Sequence, residues 1–295
     1  VDTQVIVAPH VGLHLPKDPA DRQEELEKYV TASVEMLAGE LSKGFSTNFL
    51  KLLHFYGQFR KYSARNCLLI LLQRPDASRV ASYKKWLDLG WRVRKGSKAI
   101  WLYAPITKKA EDALTGELAE KIVAWKLVAT FADIDLDGLD EKPLPQLWTA
   151  LPNDVNHLCD RMIARIRAEG VQVTERKLKA GVQGMATEKS ITLSTLIPDS
   201  RNKLATISHE YAHFTSHFGA TAKDKSKAQL ELEADAVSFV VMHRLGIHYE
   251  FTADYLLSFG VTPDQLRASL ATINGISRRI FRLLEDEKDE QPEAA

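Results

Sequence analysis

The stretch TISHEYAHFTSH, residues 206–217, decides how this chain is read. Ile207, Tyr211, Ala212 and Phe214, with Leu204 just before, supply the apolar surroundings of a buried helix. On that helix His209 and His213 lie four residues and about 40° apart, one turn above the other. Two imidazoles so placed can reach one metal ion, and Glu210 beside them can take a proton from water. The bland alternative is three polar residues that share a helix, because a pattern with three fixed positions also arises by chance. His217 continues the series without fitting the metzincin pattern, whose third histidine comes ten residues after the first and follows a glycine. It reads as a structural histidine or as a hydrogen-bond partner of the site.

Catalytic zinc takes three protein ligands and keeps one position open. The segment LELEADAVSFVV, 230–241, offers the third. Glu231 and Asp235 are four apart and share a helix face. Glu231 is the expected ligand, and Asp235 is placed to hydrogen-bond the outer nitrogen of a ligating histidine. Ala234, Val237, Ser238 and Val241 give this helix a small-residue face for close packing against the first. Glu233 is a competing ligand candidate, but it points about 160° away from Asp235's side of the helix. The bland reading of all three acids is an exposed acidic face. His243 and Tyr249 are weaker candidates for stabilising an oxyanion. Each is more often a packed residue.

The chain has 295 residues, 45% of them hydrophobic and 26% charged, which fits a globular protein with two domains. Its formal net charge of +0 hides an asymmetry. Residues 43–109 hold fifteen Lys or Arg against Asp76 and Asp88 as the only acids. Such a split points to a polyanion-binding module joined to an acidic one. Cations interleave with rings here: Arg60, Lys61, Tyr62, Arg65 and Asn66, then Tyr83, Lys84 and Trp86, then Arg92, Arg94, Lys95 and Lys98. Cations track phosphates and exposed rings stack on unpaired bases, so a single-stranded nucleic-acid groove is expected. Some rings must be core instead, with Phe49, Phe55 and Trp101 the leading choices. A solvated charged face is the bland alternative, and GWRVRKGSK, 90–98, weakens it by carrying cations round a turn with no acid.

Cys67 and Cys159 belong to no CxxC pair and are expected to be reduced, buried thiols. No export signal or membrane span is read, and a cytoplasmic location is expected. Periodicity predicts helices over 24–42, 47–58 and from a Ser63 cap to about Gln73, then a short helix ending at Gly90. The pair 98–106 and 121–133 should form a hairpin across a long, charged connection, 107–120. A helix over 153–169, short strands near 171–174, 182–186 and 190–195, and helices over 200–218, 227–246 and 263–286 follow. The fold class is therefore α+β. An irregular arm (1–20) precedes a nucleic-acid domain (21–135), a linker rich in Asp, Gly and Pro (136–152), the HExxH domain (153–286) and an acidic tail (287–295).

YSARNCLLILLQRPDASRVASYKKWLDLGWRVRKGSKAIWLYAPI, 62–106, resembles the N-terminal domain of ArdC-type antirestriction proteins, with Tyr62, Ser63, Asn66, Gln73, Trp86, Gly90, Lys95, Gly96 and Pro105 among the matching positions. ATFADIDLDGLDEKPLP, 129–145, looks like the segment that closes that domain. The two motif-bearing stretches of the C-terminal half are similar to the family's metallopeptidase-like domain, related to the ImmA/IrrE group. The resemblance implies N-terminal helices with a small antiparallel sheet and a mostly helical, zincin-like C-terminal domain. It implies a protein that shields single-stranded DNA from restriction, with a zinc peptidase centre of His209, His213 and Glu231 and with Glu210 as base. Another divalent transition metal could take zinc's place. Two rivals stand beside this: a DNA-associated protease that cuts a repressor or a DNA-bound protein, and a single-stranded-DNA-binding protein whose zinc is only structural.

Overall fold

The computed structural model describes residues 15–43, 46–111, 118–138, 144, 155–218, 222–249 and 262–285. The acidic tail, most of the expected linker and the arm up to residue 14 lie outside them. Among the described residues the fold is α+β, with eight α-helices and two three-stranded sheets. No helix there is long and apolar enough to cross a membrane.

The chain divides into two compact units. Among the described residues, one comprises 15–31, 68–111, 118–138 and 144; the other comprises 32–43, 46–67, 155–218, 222–249 and 262–285. The stretch 32–67, which the sequence reading placed in the nucleic-acid domain, thus packs with the C-terminal half. The boundaries between the units fall within α1 (Pro19–Leu41) and α3 (Ala64–Gln73) in the sequence.

In the first unit, β1 (Val80–Ser82), β3 (Leu118–Ala132) and β2 (Ile100–Glu111) form an antiparallel sheet in the order β1-β3-β2. The expected hairpin is present but longer than read. Its ladder runs from Ile100 opposite Thr130 to Glu111 opposite Leu118, with one register shift at Ile106/Thr107. The charged stretch thought to be a loose connection is mostly strand, because backbone pairing does not depend on an apolar face. The helix α4 (Tyr83–Asp88) follows β1, capped by the Ser82 hydroxyl, and the chain turns out of it at Gly90 with φ +81°. That left-handed value suits glycine. Val93 makes an isolated bridge opposite Leu136. Trp86, Trp91, Ala81 and Leu136 pack together as a small core. Gln73 clamps the start of β2, donating to the Trp101 carbonyl at 3.0 Å and accepting from the Trp101 amide at 2.8 Å.

The second unit is mostly helical. It holds α2 (Thr47–Gln58), α5 (Asn156–Ala168), α6 (Ser200–Ser216), α7 (Lys227–Arg244) and α8 (Pro263–Leu284). A mixed sheet completes it, with β6 (Ser190–Ser194) between a parallel β4 (Gln172–Arg176) and an antiparallel β5 (Gly184–Ala186). Side chains start four of the helices: Ser46, Asp199, Ser226 and Thr262 accept from the amides of Phe49, Asn202, Gln229 and Gln265. Each such cap contributes about 1 kcal/mol. The expected small-residue seam is buried: Ala234, Val237, Ser238 and Val241 are all inside, and the Ser238 hydroxyl donates to the Ala205 carbonyl of α6 at 3.0 Å. α2 also lies on α7, where a Cβ on Gly57 would stand 3.1 Å from the Val240 carbonyl oxygen. Phe49 and Phe55 are core, as are both cysteines.

Candidate metal centre

α6 and α7 lie side by side. Their seam of small residues brings the backbones close, and the polar residues at its edge meet across it. His209 and His213 project from consecutive turns of α6 with their Nε2 atoms 3.0 Å apart. Glu231 of α7 places Oε2 3.4 Å from each. A tetrahedral ion with bonds of about 2.0–2.1 Å holds its ligand atoms about 3.3 Å apart, so this triangle fits one. These three residues form the one such group among the described residues.

The neighbours reinforce the arrangement. The His209 Nδ1 donates to Asp235 Oδ1 at 2.9 Å, which leaves its Nε2 for the ion. Burial disfavours a charge on His209, but the Asp235 and Glu231 carboxylates outweigh it and raise the ring to about 10. Hydrogen bonds from His209 and His213 hold Glu231 well below the usual carboxylate range. Both shifts express the close approach of the two imidazoles to the Glu231 and Asp235 carboxylates.

Glu210 is buried one residue along, beside β5. Burial pushes its carboxyl up, while the charges of His209 and His213 and the Ala186 amide pull the other way. A carboxylate raised by burial is the state a proton acceptor near neutral pH needs. Gly184 makes room for it, since a Cβ there would fall 2.5 Å from the Glu210 Cγ and 2.8 Å from the Thr206 Cγ2.

Behind His213 lies a network of which the sequence reading gave only His217, as a structural histidine or a hydrogen-bond partner of the site. His217 Nδ1 is 2.7 Å from His213 Nδ1, and its Nε2 is 2.9 Å from Glu233 Oε2. Glu233 also receives Lys225 at 2.8 and 2.7 Å and the Ser269 hydroxyl at 2.7 Å. Burial works to raise Glu233, but its donors win and hold it low, and burial pushes His217 down. Glu233 is thus neither a ligand nor an exposed acid. The third histidine of the 209, 213, 217 series was the available signal. His243 is not at the centre: eight residues beyond Asp235, about 12 Å along α7, it pairs with His54 of α2 at 2.5 Å between ring nitrogens.

The residues read as nucleic-acid contacts fall on both units. Arg60, Lys61, Tyr62, Arg65 and Asn66 belong to the second unit, and Tyr83 to Lys98 belong to the first. Lys61, Tyr83, Lys84, Arg92, Arg94, Lys95 and Lys98 are exposed. Two readings need correction. Trp86 is 2% exposed and donates its indole N–H to the Phe131 carbonyl at 2.9 Å, so it is a core residue with no face free for a base. Asn66 is likewise buried. Arg60 is ion-paired with Glu285, and the Arg94 guanidinium is bonded to the Ile134 carbonyl.

Fold and site together define an α+β protein whose HExxH helix brings His209 and His213 within 3.4 Å of Glu231 on the next helix. Residues 20–131 match the sequence family described as the N-terminal domain of anti-restriction factor ArdC. Over that span the chain matches an ArdC-type N-terminal domain. An uncharacterized protein of Bacillus anthracis is 24% identical over 282 residues, covering 76% of this chain. The chain spans about half that relative's length, 45% of it. Two crystal structures of the antirestriction protein ArdC from plasmid R388, one metal-free and one Mn(II)-bound, are also similar. Both are 20% identical, with TM-scores of 0.48 and 0.47. They cover 76% and 74% of this chain and 84% and 80% of theirs.

Proposed function

We propose that this antirestriction-family chain binds single-stranded DNA through its basic segment and carries a metal-dependent peptide hydrolase centre in its C-terminal half. The observation that carries the second part is the triangle of His209 Nε2, His213 Nε2 and Glu231 Oε2, with edges of 3.0, 3.4 and 3.4 Å. Two imidazoles and one carboxylate are the donor set of a hydrolytic zinc site, and another divalent transition metal is compatible with them. Such an ion would polarise a peptide carbonyl and lower the pKa of water toward 7.

The chain's own groups supply the rest. Glu210 takes the proton of the attacking water and delivers it to the leaving amine. Asp235 fixes the His209 ring so that Nε2 faces the ligand triangle. The Ala186 amide holds the Glu210 carboxylate beside the triangle. The exposed cations Arg92, Lys95 and Lys98 make the phosphate contacts.

The test uses the purified full chain loaded with zinc. His209→Ala and Glu231→Ala lose zinc. Glu210→Gln keeps both zinc and DNA binding but loses cleavage of an unfolded protein substrate. Equal cleavage by Glu210→Gln and the parent would end the hydrolase reading, and DNA binding indifferent to salt would end the nucleic-acid reading.

A further inference from the structure

We infer that His217 and Glu233 form a relay that locks His213 into its metal-binding tautomer, making His217 a positioning residue for the ion. This rests on the metal reading above. His213 faces the triangle with Nε2 and faces His217 with Nδ1, 2.7 Å from the His217 Nδ1. A hydrogen bond between two ring nitrogens needs one proton and one lone pair. The proton's position follows from the far end of the chain. Glu233 accepts from Lys225 and from Ser269, as an ionised carboxylate does, and it lies 2.9 Å from His217 Nε2. An ionised carboxylate only accepts, so His217 carries its proton on Nε2 and donates it there. The His217 Nδ1 is then a lone pair, and His213 Nδ1–H donates to it. His213 is left with a lone pair on Nε2, the atom beside His209 and Glu231.

The reverse polarity fails at both ends. It would set a lone pair of His217 against the Glu233 oxygen and a proton on the His213 nitrogen that faces the triangle. Asp235 does the same work directly for His209, at 2.9 Å from its Nδ1. The two ligand rings therefore have matching protonation by different routes, one through a carboxylate and one through a second imidazole. The relay is protected from water, with the His217 and Glu233 side chains 2% and 0% exposed. It also ties the site to α8 through Ser269, whose hydroxyl in turn accepts from Gln229 at 2.9 Å.

The experiment measures zinc affinity of the full chain by competition with a chromophoric chelator. His217→Gln puts an amide nitrogen near the Nε2 position and keeps the bond to Glu233, but it removes the acceptor for His213. His217→Asn puts an amide oxygen near the Nδ1 position and keeps that acceptor. Disrupting such partners weakens a metal about 10–100-fold. His217→Gln should lose affinity on that scale, and His217→Asn should lose clearly less. Parental affinity in His217→Gln, or a larger loss in His217→Asn, overturns the relay. A second measurement needs no variant: imidazole ¹⁵N spectra of the zinc-loaded parent should show His213 protonated on Nδ1 and coupled across the hydrogen bond to His217 Nδ1. An unprotonated His213 Nδ1 overturns the relay even if the variants do not fold. Failure of the parent to bind zinc would instead remove the metal reading itself.

Discussion

Gly184 on β5 lies so close to Glu210 on α6 that a methyl group at its Cα would sit 2.7 Å from the Glu210 Oε1. The same methyl would meet the Glu210 Cγ and the Thr206 Cγ2, so turning one carboxylate oxygen aside does not relieve it. Gly184→Ala must move either the strand or the Glu210 side chain, at a cost of about 1–3 kcal/mol. The proposed metal ligands, His209, His213 and Glu231, lie on other residues and keep their places. The expected outcome is a zinc content like the parent's with peptide cleavage at least about tenfold slower, since a misplacement of about 1 Å costs up to 100-fold. Loss of zinc along with activity would show that β5 supports the whole centre.

The His54–His243 pair gives the second unit a pH dependence. Burial, and then the neighbouring His243, push His54 down to about 4, and burial also lowers His243. The unfolded chain protonates these rings near 6.5. Between about pH 6.5 and 4 the unfolded state therefore binds more protons, so stability rises with pH across that window. This contribution is complete above about 6.5 and is lost as the pH falls toward 4. Thermal melts over pH 4–7 should show the decline, and His54→Gln should flatten it. A slope indifferent to the substitution would assign the decline to other groups.

Much of this was legible in the chain itself. The helices over 47–58, 200–218 and 227–246 announce themselves by apolar spacing, and the structure starts them at Ser46, Asp199 and Ser226. His209, His213, Glu231 and Asp235 could be placed because a spacing of four defines a helix face without tertiary information. What could not be read depends on which helix lies opposite. Glu233 points away from Asp235 as its position requires, but only the packing of α6, α7 and α8 shows that this direction leads to His217 and Ser269 rather than to water. Trp86 and Tyr83 are equally aromatic in sequence and three residues apart, yet one is core and the other half exposed. The long β2–β3 ladder escaped because its outer residues lack the alternation that marks a half-buried strand.

In the first unit, Arg74 reaches both oxygens of Asp135 at 2.8 Å each, joining the end of α3 to the turn after β3. Asp135 is 6% exposed and also accepts the Ala132 amide at 3.3 Å. Removing one partner leaves the other charge poorly solvated. Asp135→Asn should destabilise the chain by about 2 kcal/mol, read from denaturant midpoints, less than for a fully buried pair because Arg74 is 21% exposed and keeps Asp76 at 3.3 Å. Arg74→Met with Asp135→Leu should recover much of that loss, because no lone charge remains. Additive losses in the double variant would argue that the pair is held by its surroundings rather than by its charges.

Arg92, Lys95 and Lys98 are exposed, whereas the Arg94 guanidinium already serves the Ile134 carbonyl. The phosphate contacts are therefore expected from the first three. Replacing them together with Gln should weaken single-stranded DNA binding for every sequence tested. Each phosphate contact contributes about 0.7 to the slope of log affinity against log salt on single strands, so that slope should become shallower by about 2. Arg94→Gln should act differently, lowering thermal stability with little change in the salt slope. If the triple variant keeps the parental slope, the contacts lie elsewhere on the chain, and Lys61 and Lys84, both exposed, are the next to replace.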